Sequence, residues 1–159
     1  MNQQNCLEAV LEDYLLKNIP ISSAMGVRVN LASNSQIILE APFSNNINHK
    51  KTVFGGSLHA IATLACWSLM HINMIKINGG GDIQIVIASS EIKYLLPINT
   101  DFKAECHKPD IFEWERFIKI LLKKGKARVK LCAKIFKEGQ LCVDYYGTFV
   151  GIRTSEQDS

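Results

Sequence analysis

The run Asn45 to Ser57 reads N-N-I-N-H-K-K-T-V-F-G-G-S and leads into a long apolar stretch, Leu58 to Ile72. A Gly-Gly pair opening a buried helix leaves bare backbone N–H groups at the positive end of the helix dipole. Such groups can hold an oxyanion or a polarised carbonyl oxygen. Gly55 and Gly56 are therefore the leading candidates for chemistry, with the Gly56 N–H as donor. The other use of the pair is close packing of the helix against a strand. Asn48 is uncharged and can donate to a carbonyl or enolate oxygen, or it can serve as a turn residue in the cluster Asn45, Asn46, Asn48. His49 is a residue type suited to acid–base work, but Lys50 and Lys51 beside it mark an exposed loop. Ser57 can cap the dipole end or touch a substrate. His59 lies one turn before Thr63, whose hydroxyl can bind a substrate, orient a water or back-bond within its own helix. Ser89 and Ser90 interrupt an apolar strand. With period two, Ser90 shares a face with Val86, Ala88, Ile92 and Tyr94, the side expected to face the helix. Its hydroxyl then either lines a pocket or makes a core hydrogen bond. Glu91 shares the opposite, outward parity with Ser89 and Lys93, where it would pair with a lysine.

These residues need elements to position them. Leu7, Val10, Leu11, Tyr14 and Leu15 have helical spacing, with Glu8, Glu12 and Asp13 on the other face. Pro20 stops that pattern. Strands are expected over Val27 to Ala32 and Ile37 to Ala41, separated by the turn cluster Ser33-Asn34-Ser35. The central helix should run from near Gly55 to about Asn73. It is apolar around most of its circumference, which predicts burial on nearly every side. Gly79-Gly80-Gly81 reads as a flexible connection. Ile83 to Ile98 is the clearest β pattern, and Phe102 to His107 is a short strand. Ile111 to Leu122 has helical periodicity. Ala127 to Phe136 and Leu141 to Ile152 form a hairpin around Glu138-Gly139, and the tail Thr154 to Ser159 is polar and expected to be loose. Five or six strands and one very buried helix predict an α+β domain, an antiparallel sheet wrapped around that helix. One sheet face then needs cover, and only short helices remain for it, so self-association is expected.

A chain of 159 residues sets the expectation of a single domain, residues 1–159. A formal charge of +3 gives no electrostatic reason to invoke nucleic acid. The longest apolar run carries His59, Thr63, Ser68 and His71, so it reads as a buried helix rather than a membrane span. The first residues show no basic region followed by an apolar core. The five cysteines, Cys6, Cys66, Cys106, Cys132 and Cys142, are widely spaced and form no C-x-x-C, so neither a disulfide framework nor a metal site is expected. They suit small core hydrophobes in a reducing cytoplasm. Lys119, Lys123, Lys124, Lys126, Arg128, Lys130 and Lys134 concentrate positive charge that could meet phosphates or an acidic partner, or could form an ordinary solvated face.

The order strand–strand–buried helix–strands resembles the hotdog fold of acyl-thioester enzymes. The segment N-I-N-H-K-K-T-V-F-G-G-S-L-H-A, with the later E-I-K-Y-L-L-P-I, resembles the thioesterases related to the YiiD C-terminal domain, over roughly Leu15 to Ile152. The resemblance implies a homodimer or dimer of dimers acting on thioesters of coenzyme A or acyl carrier protein. No separate cofactor is implied, because coenzyme A or phosphopantetheine comes with the substrate. Sites would lie at the subunit interface near the start of the central helix, with Phe54, Gly55, Ser57 and His59 against the substrate. In the related phenylacetyl-thioesterase type the motif is H-G-G, followed about two turns later by a carboxylate. Here Phe54 stands at the histidine position and Thr63 at the acidic one, so the general base expected for that hydrolysis is missing. Three functions follow. The first is hydrolysis, with the Gly56 N–H polarising the carbonyl and Asn48, Thr63 or Ser90 positioning the carbonyl or water. The second is decarboxylation of a malonyl-acyl-carrier-protein, for which neutral donors suit the enolate. The third is acyl-thioester binding without turnover.

Overall fold

The computed structural model describes residues 3–77 and 82–154, with side chains from Leu7 onward. The glycine run at 79–81 and residues 155–159 lie outside the described residues. In chain order the elements are α1 (Gln3–Asn18), α2 (Pro20–Met25), β1 (Arg28–Ala32), β2 (Gln36–Ala41), α3 (Phe43–Asn46), α4 (Gly55–Met74), β3 (Ile83–Tyr94), β4 (Phe102–His107), α5 (Ile111–Lys124), β5 (Lys126–Lys137) and β6 (Gln140–Arg153). Six strands form one antiparallel sheet in the order β1-β2-β4-β5-β6-β3. The sheet wraps around α4, which is the hotdog arrangement.

Local chemistry explains most of the boundaries. Pro20 ends α1, as its spacing requires, but it also opens α2, a helix that periodicity alone does not reveal. Proline at a first helical position loses no hydrogen bond and presets φ. Gly26 closes α2 at φ 71°, where a Cβ would stand 3.0 Å from Pro42. Asp110 caps α5 by accepting from the Phe112 N–H, and Gly125 ends it in the left-handed region. Glu138 and Gly139 both have positive φ, at 50° and 77°, as a two-residue primed hairpin turn requires between Lys137 and Gln140.

Two expectations change. The period-two reading carried one parity along all of β3, but Ala88 is an extra residue in the ladder. Ile87 pairs with Phe149, while Ser89, not Ala88, pairs with Thr148. This bulge resets the strand. Ile83, Ile85 and Ile87 share the inner face with Ser90, Ile92 and Tyr94, and Val86 leaves it. The second change concerns the uncovered face. α5 packs over β5 and β6 on the same side as α4, since Phe117 and Leu121 lie against inward-facing Gly151. The outer face is polar there, with Lys134 bonded to Asp144 at 2.9 Å and Lys130 over the Tyr146 ring. It therefore offers no apolar area that demands a cover. One group of exposed apolar side chains lies on or beside the edge strand, at Val86, Ile87, Tyr94, Leu95 and Leu96.

The core sits between α4 and β2, β4 and β5. Leu58, Ile61, Ala65, Leu69, Met70 and Ile72 of α4 are buried against Ile37, Leu39, Ala104, Ala133 and Ile135. Ser68 is fully buried on the same helix, and its hydroxyl has no hydrogen-bond partner among the described residues. An unpaired buried hydroxyl costs its desolvation, and alanine is the better helix former. Ser68→Ala should therefore raise stability by about 1 kcal/mol, read as a higher denaturation midpoint with an unchanged slope.

Candidate functional site

The site begins where α4 begins. Phe54 is the N-cap residue and supplies no side-chain cap. Its carbonyl accepts from the Ser57 N–H at 3.0 Å and the Leu58 N–H at 3.2 Å, and its own N–H donates to the Asn46 carbonyl at 2.7 Å. The N–H groups of Gly55 and Gly56 have no acceptor one turn back, as for any first helical residues. The Phe54 ring is exposed and folds over Gly56, where a Cβ would clash with Phe54 Cε1. The Tyr94 hydroxyl donates to the Gly55 carbonyl at 3.1 Å and ties the end of β3 to the first turn of α4.

One turn further along, four side chains meet. His59 Nε2 lies 3.0 Å from Ser90 Oγ. Thr63 Oγ1 lies 2.9 Å from the His59 carbonyl and 3.0 Å from the Tyr145 hydroxyl, and can donate its one proton to either. The His59 and Tyr145 rings meet edge-on at 5.4 Å between centroids. Burial pushes the Tyr145 phenol above its usual range, and the hydroxyls of Thr63 and Ser90 partly offset that. The phenol therefore stays protonated at neutral pH. Gly147, paired with Ser90, makes the room: a Cβ there would stand 2.8 Å from the Tyr145 hydroxyl and 2.6 Å from Phe149 Cε2.

Asn48 has a different position. Its Oδ1 accepts from the Lys50 N–H at 2.9 Å and the Thr52 N–H at 3.2 Å, and its Nδ2 donates to Thr52 Oγ1 at 3.0 Å. It thus organises the loop between Ile47 and Val53, which pair across it. His49 is exposed on that loop, as its lysine neighbours suggest. Ser57 uses its backbone N–H within the first turn. Gly55, Gly56, His59, Thr63 and Ser90 thus gather at the start of α4 and the facing part of β3. Sequence reasoning missed Tyr145 and Tyr94. The signal for Tyr145 was its inward parity on β6, because a phenol facing a core needs a partner.

His59, Thr63 and Ser90 open onto a trough between α4 and β3. Its first half has a volume of about 390 Å³ and is lined mostly by apolar groups from Ile19, Ile21, Ala60, Leu64 and Ile87. His59, Thr63, Ser89 and Ser90 are its polar residues, and no carboxylate lines it. Among the described residues no group of side chains could hold a metal ion. The basic cluster is dispersed, with Lys119, Lys123 and Lys124 on α5 and Lys130 and Lys134 on the outer face of β5. Glu91 faces outward 3.8 Å from Lys93, as its parity implies.

A hotdog sheet wrapped around its helix, with open N–H groups at the helix start and an apolar trough, is a thioesterase-like architecture. Residues 8–153 match the family described as "Putative thioesterase (yiiD_Cterm)", and the chain belongs to that family. Among solved structures, a protein of unknown function from Chlorobaculum tepidum is 29% identical, with a TM-score of 0.87 over 95% of this chain and 97% of that one. A "putative thioesterase" from Shewanella oneidensis is also 29% identical, with a TM-score of 0.81 over 93% and 99%. A Pseudomonas aeruginosa protein at 16% identity, with a TM-score of 0.79 over 92% and 95%, shares the fold.

Gly147→Ala should cost about 1–3 kcal/mol, because the new methyl meets two buried rings. Tyr145→Phe in the same background should recover part of that loss, measured by denaturation of the two variants. Burial lowers the His71 imidazole from its usual 6.5. The unfolded chain then takes up the proton first, so this contribution is complete above 6.5 and is lost as pH falls below it. Tyr14 and Asp82 are the other titratable groups at that position. His71→Phe should flatten the acid-side decline in thermal midpoint.

Proposed function

We propose that this chain hydrolyses acyl thioesters of coenzyme A or acyl carrier protein, with His59 as the general base. The observation that carries this reading is the 3.0 Å contact between His59 Nε2 and Ser90 Oγ, one turn from the open N–H groups of Gly55 and Gly56. It supplies the proton acceptor that Thr63 cannot. The thioester carbonyl oxygen accepts from Gly55 and Gly56, which stabilise the charge that develops on it. Ser90 orients the imidazole. His59 takes a proton from water as the water oxygen bonds to the carbonyl carbon, then returns it to the thiolate when the C–S bond breaks. Tyr145 and Thr63 hold the first turns of α4 against β6. Asn48 acts by shaping the loop that delivers Phe54 and the glycines. No bound cofactor is needed, because coenzyme A or phosphopantetheine arrives with the substrate.

A second reading is decarboxylation of a malonyl thioester, favoured by the lack of any carboxylate in the lining of the cavity beside His59 and Ser90. A carboxylate there would repel the malonyl group, and the same N–H donors suit the enolate.

We further propose a homodimer formed by antiparallel pairing of two β3 edges. That pairing would join two six-stranded sheets and cover Val86 and Ile87. The reading takes residues 1–159 as one hotdog domain. It places the protein in the cytoplasm, where the free thiols of Cys66, Cys106, Cys132 and Cys142 stay reduced. Among the described residues no helix is long and apolar enough to cross a membrane.

The test is mass spectrometry of products from fatty acyl and malonyl thioesters on both carriers. Free acid and thiol are expected. His59→Ala should lower turnover roughly a hundredfold to ten-thousandfold, and Ser90→Ala less. Acetyl thioester from the malonyl substrate would instead establish the decarboxylase. A shift in melting temperature with ligand but no product would establish a binding protein.

A further inference from the structure

On α4 four half-covered residues, His59, Thr63, Trp67 and His71, form one line at four-residue spacing. At about 1.5 Å rise per residue this line runs about 18 Å along β3. The apolar half of the trough lies against Ile87 to Ser90, and a second cavity of about 530 Å³ lies next along the same strand, against Asp82 to Val86. The second half has a different character. Trp67 stacks on His71 at 4.7 Å, and Tyr14 of α1 closes on both rings, at 5.8 Å from Trp67 and 4.5 Å from His71. Met74, Ile75, Ile83, Ile85 and Val86 add apolar wall, and Gln84, Asp82 and Thr154 bring polar groups to it. The ring nitrogens of His71 have no hydrogen-bond partner among the described residues.

We propose that this far cavity receives the end of a long acyl chain that carries an uncharged oxygen group, an ω-hydroxyl in the simplest case. The proposal rests on the reading of the trough as the acyl site. A neutral imidazole presents one donor and one acceptor, and the Gln84 amide adds both kinds. A hydroxyl satisfies them, whereas a methyl end would desolvate them without return. Asp82 disfavours a terminal carboxylate. The apolar first half suits the intervening methylenes.

The experiment measures binding without turnover. Non-cleavable pantetheine thioethers of hexadecyl and ω-hydroxyhexadecyl chains, with dodecyl and tetradecyl pairs, are titrated by calorimetry into the full chain. The ω-hydroxyl should bind about five- to tenfold tighter at the length that reaches His71, and not at shorter lengths. His71→Phe, which keeps the stacking, should abolish the preference, and Gln84→Leu, an exposed strand position, should reduce it. Equal affinities in the native chain, or a preference that survives His71→Phe, overturn the proposal. A preference in binding with no hydrolysis of either thioester overturns the hydrolytic reading and leaves this one standing. Hydrolysis without preference does the reverse.

Discussion

A helix of 20 residues enclosed on nearly every side can keep polar groups only along the seam that its sheet leaves open. The apolar residues of α4 fix which side faces β2, β4 and β5, and that leaves His59, Thr63, Trp67 and His71 turned toward the edge strand. Burial of the core face and presentation of the functional line are one constraint. Turning the helix to improve one would spoil the other.

The edge strand has to answer that line with matching chemistry, and the bulge at Ala88 lets it do so. Upstream, β3 gives isoleucines to the interior; downstream, it gives Ser90. The extra residue brings Ser90 onto the inner face without moving Ile83 and Ile85 off it. Gly147 on β6 does the complementary work, since only a residue without a side chain leaves the Tyr145 hydroxyl its place beside Thr63. The site is thus built as much from a register change and a missing side chain as from the groups that carry it.

Much of this could be read in the amino-acid order. Strand alternation, the apolar circumference of α4, the Glu138-Gly139 turn and the α5 periodicity all depend on local spacing, and each element stands within a few residues of its expected position. Gly55, Gly56, Thr63 and Ser90 were visible because glycine pairs and hydroxyls interrupt apolar runs. What stayed hidden depends on partners distant in the chain. That Ser90 shares the inner face with Ile83, Ile85 and Ile87 rather than Val86 follows from a bulge that only pairing with β6 reveals. His59 looked like an ordinary helix histidine until Ser90 stood against it. Tyr145 looked like a strand aromatic, and the side-chain amide of Asn48 had no visible rival for its bonds until Thr52 closed the loop. The absent carboxylate at Thr63 was legible, but the contact of His59 with Ser90 across 31 residues was not.

Phe54 has one more consequence. Most helices complete their first turn with a side chain of their own, but a phenyl ring cannot accept a hydrogen bond. The first turn of α4 therefore lacks a piece that a carbonyl oxygen from outside would supply. A molecule bound there becomes in effect the missing cap residue of the central helix. Occupancy of the site and tightness of the fold are then one equilibrium. The empty protein should breathe at this end, and the loaded protein should hold its longest helix closed to the first residue.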